Sequence, residues 1–317
     1  MTNNEIITAL ASLINDAGKK NQLPLDTAFN IFLDYEKTKV REATIIYYSY
    51  HLKILKKYCN ALGCFTTADV TKAFYNKLIS LLMTKNYSNS SINKFCDLLK
   101  SILNVCVELD YITDNPLKGI KKLKEVIPDV QVVKQDVKKQ IFNHLFSLPK
   151  TPLNLRNICY FLIVNDTGAR LNEMINIKLK NVHLDNNLIY LEYTKTGKPR
   201  NVYIQDITVS YIKEYLKYHG DKTEYFFINT FTGEQIRKHS IYDMIAKIQK
   251  DLNIPGSISP HKWRHALATE LAESNMNINR MMMVLGHTQY STTKRYLHLN
   301  DEACKNEVLS ILNKNSK

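Results

Sequence analysis

Hydrophobic positions in the first third of the chain recur at intervals of three and four, the repeat that brings side chains onto one face of an α-helix. Thr44, Tyr48, Leu52, Leu55 and Tyr58 form one such stripe, with Lys53, Lys56 and Lys57 on the other faces. Val70, Phe74, Leu78 and Leu81 form a second. Ile92, Phe95, Leu99, Ile102 and Cys106 form a third, entered through the serine-rich Ser88 to Ser91 and followed by the terminator Asn115-Pro116; serine at a helix start accepts a hydrogen bond from an otherwise unpaired backbone N–H. The run Ile6 to Ile14 reads as a short amphipathic helix, because Glu5 precedes it and Lys19 and Lys20 follow it, the reverse of the charge order in a signal peptide. The pattern predicts a short N-terminal segment, 1–24, and a helical domain over 25–117.

Between Lys118 and Lys139 the periodicity fades, while seven lysines, three acids and Pro128 leave a net charge of +4. Residues 118–135 are expected to be a basic interdomain linker. A helix is predicted to begin near Asp136 (Val137, Ile141, Leu145), and the wholly apolar Ile158 to Val164 reads as a buried central helix. Strand signals first appear at Leu188 to Tyr193 and Asn201 to Ile204, joined by a hairpin loop over Thr194 to Pro199. A helix from Ile207 to His219, a short strand at Tyr225 to Ile228 and helices to the end complete a second domain, 136–317, with a C-terminal tail helix. The expected fold class is mainly α: a helical domain, then a mixed α+β domain with a small antiparallel sheet.

The chain has 317 residues, enough for about two domains with their own cores. Its longest apolar run is far below the ~20 residues of a membrane span, which excludes a transmembrane helix. Cys59, Cys64, Cys96, Cys106, Cys159 and Cys304 form no CxxC pair, so neither a zinc ribbon nor a disulfide framework is indicated, and a reducing compartment, the cytoplasm, is expected. Forty-three Lys and Arg against 30 Asp and Glu give a net charge of +13, the electrostatic footprint of a protein that works on a polyphosphate. The lysines are spread along the whole chain rather than gathered on one amphipathic helix, which disfavours membrane-surface binding.

Glycine is scarce, and three of the nine sit beside basic residues: Gly168 before Arg170, Gly197 after Lys195, Gly286 before His287. Ser259-Pro260-His261-Lys262-Trp263-Arg264-His265 has the residues of a strong helix start, with His261 and Arg264 three apart near its positively polarised end, a good phosphate site. His261 and His265 have the spacing of paired metal ligands, but Lys262 stands where a metalloprotease has Glu, and Arg264 would repel a cation. Trp263 and Ala266 read as core residues, and His265 as a structural histidine.

Taken in order, Thr167-Gly168-Ala169-Arg170-Leu171-Asn172-Glu173, Lys195 in its hairpin, His261-x-x-Arg264-His265, Leu285-Gly286-His287, and Tyr296 nine residues after that histidine resemble the active-site motifs of the tyrosine recombinase (phage integrase) family. The resemblance spans roughly residues 25–317 and implies that the helical domain is a SAM-like core-binding domain. Two departures stand out. Trp263 replaces the more usual leucine. Only about 25 residues precede the core-binding region, which leaves no room for a separate arm-site-binding domain, so a simpler two-domain recombinase is expected.

The resemblance implies a site-specific recombinase that cleaves and rejoins duplex DNA through a 3′-phosphotyrosyl intermediate and a Holliday junction, as a homo-tetramer on two sites, with possible exchange of C-terminal tails between subunits. Tyr296 would be the nucleophile, preferred by its spacing over Tyr290. Its unperturbed pKa near ~10 means that attack requires a cationic setting or a base. His261 is the family's counterpart for that base. Arg170 and Arg264 would bind the non-bridging oxygens, His287 would add a hydrogen bond, and Lys195 would protonate the departing 5′-oxygen. Glu173 is assigned to structure, fixing Arg170 or a backbone group. No cofactor or metal is implied. The rivals are a type IB-like topoisomerase and a DNA-binding module that has lost catalysis; the intact residue set speaks against the second.

Overall fold

The computed structural model describes residues 22–125, 131–194, 197–220, 222–294 and 296, and the chain forms two compact units that divide between Pro128 and Asp129. The first unit holds α1 (Leu25–Lys37), α2 (Glu42–Ala61), α3 (Lys72–Thr84) and α4 (Asn89–Glu108). The stripe on α4 is buried in full, and Leu52 and Leu55 of α2 and Phe74 and Leu78 of α3 meet it in one core. Caps set two of the helix starts: Thr71 accepts the Phe74 N–H at 3.1 Å, and Ser88 accepts the Ser91 N–H at 3.3 Å. With Thr71 as cap, Val70 lies outside α3, and Leu82, four residues after Leu78, enters the core in place of Leu81. α1 adds to the predicted helices, burying Leu25, Ala28, Phe29 and Phe32. The helix expected at Ile6 to Ile14 lies outside the described residues.

The basic segment after Pro116 is tied down along half its length. Ile120 and Leu123 pack against the first core, and the buried Asn93 grips the Leu123 backbone, accepting its N–H at 2.9 Å and donating to its carbonyl at 2.9 Å. Residues 118–125 therefore go with the first unit, while the buried Val133 goes with the second, its N–H donating to the Lys262 carbonyl at 3.4 Å. Asn93→Ala would leave that backbone without its partners and should cost about 1–3 kcal/mol in urea unfolding. Trypsin should also cut faster after Lys121, Lys122 and Lys124; unchanged cutting would mean that Asn93 does not hold the segment.

The second unit is built on α6 (Pro152–Thr167), whose run from Ile158 to Val164 is buried throughout. Thr151 caps it and Pro152 occupies its first turn. Around it lie α5 (Gln135–Ser147), the one-turn α7 (Leu171–Ile175), α8 (Asp206–Leu216), α9 (Lys238–Asp251), α10 (Pro260–Glu273), α11 (Ile278–Leu285) and α12 (Tyr290–Lys294). The sheet has three antiparallel strands in the order β1 (Val182–His183), β2 (Leu188–Leu191), β3 (Arg200–Tyr203). β2 and β3 are the predicted hairpin, with Leu191 opposite Arg200 at the end next to the turn. β1, two residues long, is too short to leave a periodic signal.

Two expectations are corrected. Tyr225 to Ile228 is not a strand: only isolated bridges form, Lys178 with Tyr225 and Ile228 with Gln235. The consecutive Phe226 and Phe227 are both fully buried, which the two-sided alternation of a half-buried strand does not allow. The Ser259 hydroxyl makes no cap bond; the Ser259 carbonyl instead accepts the Lys262 N–H at 2.9 Å. No helix among the described residues is long and apolar enough to cross a membrane. The five described cysteines are buried free thiols. Cys304 and the expected tail helix lie outside the described residues.

Candidate active site

Two helices end in glycine at the site, and both glycines need the freedom that a missing Cβ gives. Gly168 ends α6 with φ +56°, and a Cβ there would lie 3.1 Å from Leu267 and 3.5 Å from the backbone of Arg264. Gly286 ends α11 with φ +63°, and a Cβ there would stand 2.7 Å from the Arg200 guanidinium. These left-handed caps turn the chain within one residue, the conformation that glycine adopts at least cost. They bring Arg170 and His287, each just beyond its turn, toward the first half of α10. α10 is itself fastened to α5 by the buried Lys138, which meets Glu270 at 2.6 Å over the ring of Trp263.

At the centre is Glu173, 2 % exposed, on α7. One of its oxygens accepts from Nη1 of Arg170 at 2.9 Å and from Nη1 of Arg200 at 3.2 Å. The other accepts from the Arg170 backbone N–H at 2.9 Å and from Nη2 of Arg200 at 2.8 Å. Arg170 also reaches the Gly286 carbonyl at 3.4 Å, and Nε of Arg200 reaches the Val284 carbonyl at 3.1 Å. Arg264, 5 % exposed on α10, donates to the Gly168 carbonyl at 2.8 Å and to the Leu285 carbonyl. Each arginine thus ties a turn to the cluster.

Burial works against ionisation of Glu173, but hydrogen bonds and charge from Arg200 and Arg170 outweigh it and hold the carboxyl below its ordinary value. Arg264 goes the other way. Burial, then repulsion from Arg170 and Arg200, push its guanidinium down to about 9 against the pull of Glu173 and Tyr296. Three guanidinium groups around one carboxylate leave a net charge of two positive units in a largely dehydrated site. Such a site favours an anion.

Tyr296 is 2 % exposed and packs with Ala268, Ala272, Met281 and Leu285. Its hydroxyl is hydrogen-bonded to Nδ1 of His265 on α10, next to Arg264. Its backbone N–H bonds the Thr293 carbonyl at 3.0 Å, and the Thr293 hydroxyl pairs with Nδ1 of His287 at 2.8 Å. Tyr290, the other tyrosine after the histidine, is half exposed at the start of α12. His261 stands on the exposed side of the first turn of α10, one turn before His265. Beside Arg200 and His287 a cleft of about 830 Å³ opens between β3 and α11.

Of the six residues singled out in the sequence, the structure draws Arg170, Arg264, His287 and Tyr296 into one linked cluster. Lys195 lies outside the described residues; the hairpin turn holding it is closed by Gly197 N–H to the Thr194 carbonyl at 3.2 Å and by the Thr194 hydroxyl to the Lys198 carbonyl at 2.9 Å. Two participants go beyond that set. His265, read as structural, holds the Tyr296 hydroxyl, and its place one turn after His261 was the available sign. Arg200, five residues after Lys195 on β3, had no sign in the chain beyond being basic.

A helical unit followed by a mostly helical unit with a small antiparallel sheet, whose turns gather arginines, histidines and a buried tyrosine, is the architecture of enzymes that use tyrosine on a phosphodiester. The phage integrase family matches residues 131–303, and the phage integrase SAM-like domain matches residues 8–124. Tyrosine recombinase XerC of Psychromonas ingrahamii is 30% identical over 243 residues, 76% of this chain and 79% of that one. Its namesake in Halalkalibacterium halodurans is 24% identical over 289 residues, 86% and 92% of the two chains. Among solved structures, the Tn1549 transposon integrase in complex with a circular intermediate DNA has a TM-score of 0.75 at 16% identity, covering 89% of this chain and 99% of that one. The recombinase XerH bound to palindromic difH substrate has a TM-score of 0.69 at 18% identity, covering 92% and 98%. The chain belongs to the phage integrase family of tyrosine recombinases.

The carboxylate of Glu173 gives a pH test. Its folded value lies below its ordinary 4.5, so its contribution to stability is complete above pH 4.5 and is lost as the pH falls through the folded value. Glu173→Gln keeps the shape but not the charge, and should lose about 3 kcal/mol at pH 7, the scale for stranding one side of a buried pair. Thermal unfolding from pH 7 to pH 3 should show the two proteins converging in acid. A gap of constant width would mean that the carboxylate is not ionised in the folded protein.

Proposed function

We propose that the protein is a site-specific DNA recombinase that cuts and rejoins duplex DNA through a covalent link to Tyr296. The observation that carries this reading is the surplus of positive charge around Glu173, set among the same short turns that hold Tyr296. In the proposed reaction the Tyr296 oxygen attacks the phosphorus as its proton leaves. The P–O bond to Tyr296 forms and the P–O5′ bond breaks, leaving a 3′-phosphotyrosyl link and, after protonation, a free 5′-hydroxyl. Attack by the 5′-hydroxyl of a second duplex reverses the step and exchanges the strands, with no net loss of phosphodiester energy.

The roles are those that the family resemblance implies. Arg170 and Arg264 face the non-bridging oxygens, where charge builds up in the pentacoordinate transition state, and His287 donates a hydrogen bond beside them. His261, on the exposed face of α10, takes the phenolic proton, and Lys195 supplies the proton to the 5′-oxygen. The His265 partnership with the Tyr296 hydroxyl must open for attack. Duplex DNA as partner agrees with the net charge of +13 and with the DNA-bound state of the solved relatives. Assembly as a tetramer on two sites, exchange of the C-terminal tail and work in the cytoplasm belong to the same proposal.

Sequencing the DNA covalently trapped on the protein in cells would identify the site, and a duplex of that sequence then serves as substrate. Tyr296→Phe should bind this duplex as tightly as the wild type and form no adduct, whereas Tyr290→Phe should form it normally. An adduct with Tyr296→Phe would rule out that tyrosine as the nucleophile.

Lys195 is tested by the leaving group. An alkoxide, whose conjugate acid is about as weak as water at ~15.7, leaves poorly without a proton, while a thiolate of pKa near ~8.5 leaves readily. Lys195→Ala should slow cleavage by about 10²–10⁴ on ordinary DNA and recover on DNA with bridging 5′-sulfur. Arg170→Ala should not recover. Rescue of Lys198→Ala instead would move the general acid to Lys198.

A further inference from the structure

We propose that Arg200 is a positioning residue for this reaction: it aims Arg170 at the phosphate through Glu173 and fixes the Gly286-His287 turn through the Val284 carbonyl. The inference rests on the recombinase reading above and adds a residue to its machinery. Arg200 is the third guanidinium of the cluster, and its contacts are more extensive than those of Arg170. Its two terminal nitrogens bridge both oxygens of Glu173, at 3.2 and 2.8 Å, and Nε donates to the Val284 carbonyl at 3.1 Å. The side chain is 9% exposed and the Glu173 side chain 1%, so the pair is shielded from water and its geometry is set by the protein.

This placement has three consequences. With both Glu173 oxygens engaged by Arg200, the carboxylate plane cannot rotate freely, and Nη1 of Arg170, bound to one of those oxygens at 2.9 Å, inherits a fixed direction. The Val284 carbonyl lies two residues before Gly286 and three before His287, so the bond from Nε holds the end of α11 against β3. Finally, the guanidinium occupies the space that a side chain at position 286 would take: a Cβ on Gly286 would lie 2.7 Å from Nη1 and 2.9 Å from Cζ of Arg200. The glycine of the Leu285-Gly286-His287 motif is therefore required twice over, by its φ of +63° and by the arginine packed against it.

Lysine could not replace this function. A single ammonium cannot meet both carboxylate oxygens in plane while also donating sideways to a carbonyl, which the guanidinium fork does with three N–H groups.

The test is a single-turnover measurement of covalent attachment to a nicked duplex of the trapped sequence at saturating protein. Gel-shift binding and thermal unfolding are followed on the same preparations. Arg200→Ala should bind the duplex as the wild type does and attach about 10–100 times more slowly, the scale for a reacting group misplaced by about an ångström. The decisive comparison is the double variant: Arg170→Ala/Arg200→Ala should attach more slowly than Arg170→Ala by a smaller factor than Arg200→Ala costs in the wild type, since part of what Arg200 does passes through Arg170. Arg200→Lys should fall between wild type and Arg200→Ala.

A full-rate Arg200→Ala would overturn the proposal, as would a double variant in which the two losses multiply in full, because none of the effect of Arg200 would then pass through Arg170. If Arg200→Ala does not fold, Arg200→Lys alone and with Arg170→Ala is judged by the same criterion. A wild-type protein that forms no adduct would overturn the recombinase reading and this proposal with it, whereas an active wild type with a full-rate Arg200→Ala would overturn this proposal alone.

Discussion

A carboxylate sealed from water holds two guanidinium groups only while it stays ionised, and it stays ionised only while they hold it. Glu173 is in that position, with Arg170 and Arg200 on its two oxygens and Arg264 close enough to repel both. Removing any member strands charge in a dehydrated place, which costs far more than losing an exposed ion pair. The arrangement therefore pins the elements that carry it: α7 through Glu173, the turn after α6 through Arg170, β3 through Arg200 and α10 through Arg264. The small sheet has little stability to offer by itself, and its tie to the two glycine turns comes from this cluster.

The surplus of positive charge is what remains after that structural task is met. Burial first, and then repulsion from Arg170 and Arg200, lower the Arg264 guanidinium, and with one carboxylate offsetting one of three guanidinium groups the site is left short of negative charge. A bound phosphate would supply it. In the proposed reaction the same deficit serves the transition state better than the ground state, because an added negative charge gathers on the phosphoryl oxygens only as the phosphorus becomes pentacoordinate.

Tyr296 shows the complementary logic. Its ring is buried among alanines, Met281 and Leu285, and its hydroxyl is satisfied by His265. Burial needs a partner for the hydroxyl, and the His265 ring nitrogen provides it. Thr293, bonded both to His287 and to the Tyr296 backbone, joins the Leu-Gly-His turn to the tyrosine.

Local rules were enough for most of the helices, although α1 was not read from them. The stripe from Ile92 to Cys106, the cap at Ser88 and the apolar run from Ile158 to Val164 are written in residue spacing, because a helix buries one face or all faces in a way that a one-dimensional pattern records. The motif residues Arg170, Arg264, His287 and Tyr296 were legible through their resemblance to a family's motifs, and the first three sit within two residues of a glycine turn or on a helix of definite register, so that their places relative to their neighbours in the chain are nearly determined. What the sequence could not contain is pairing between distant segments. That Glu173 would face Arg200 as well as Arg170, that Tyr296 would rest on His265, and that Phe226 and Phe227 would both be buried instead of alternating along a strand are decided by which elements meet in space. Side-chain hydrogen bonds and charge pairs act over a few ångströms whatever the separation along the chain, so only the tertiary structure assigns them.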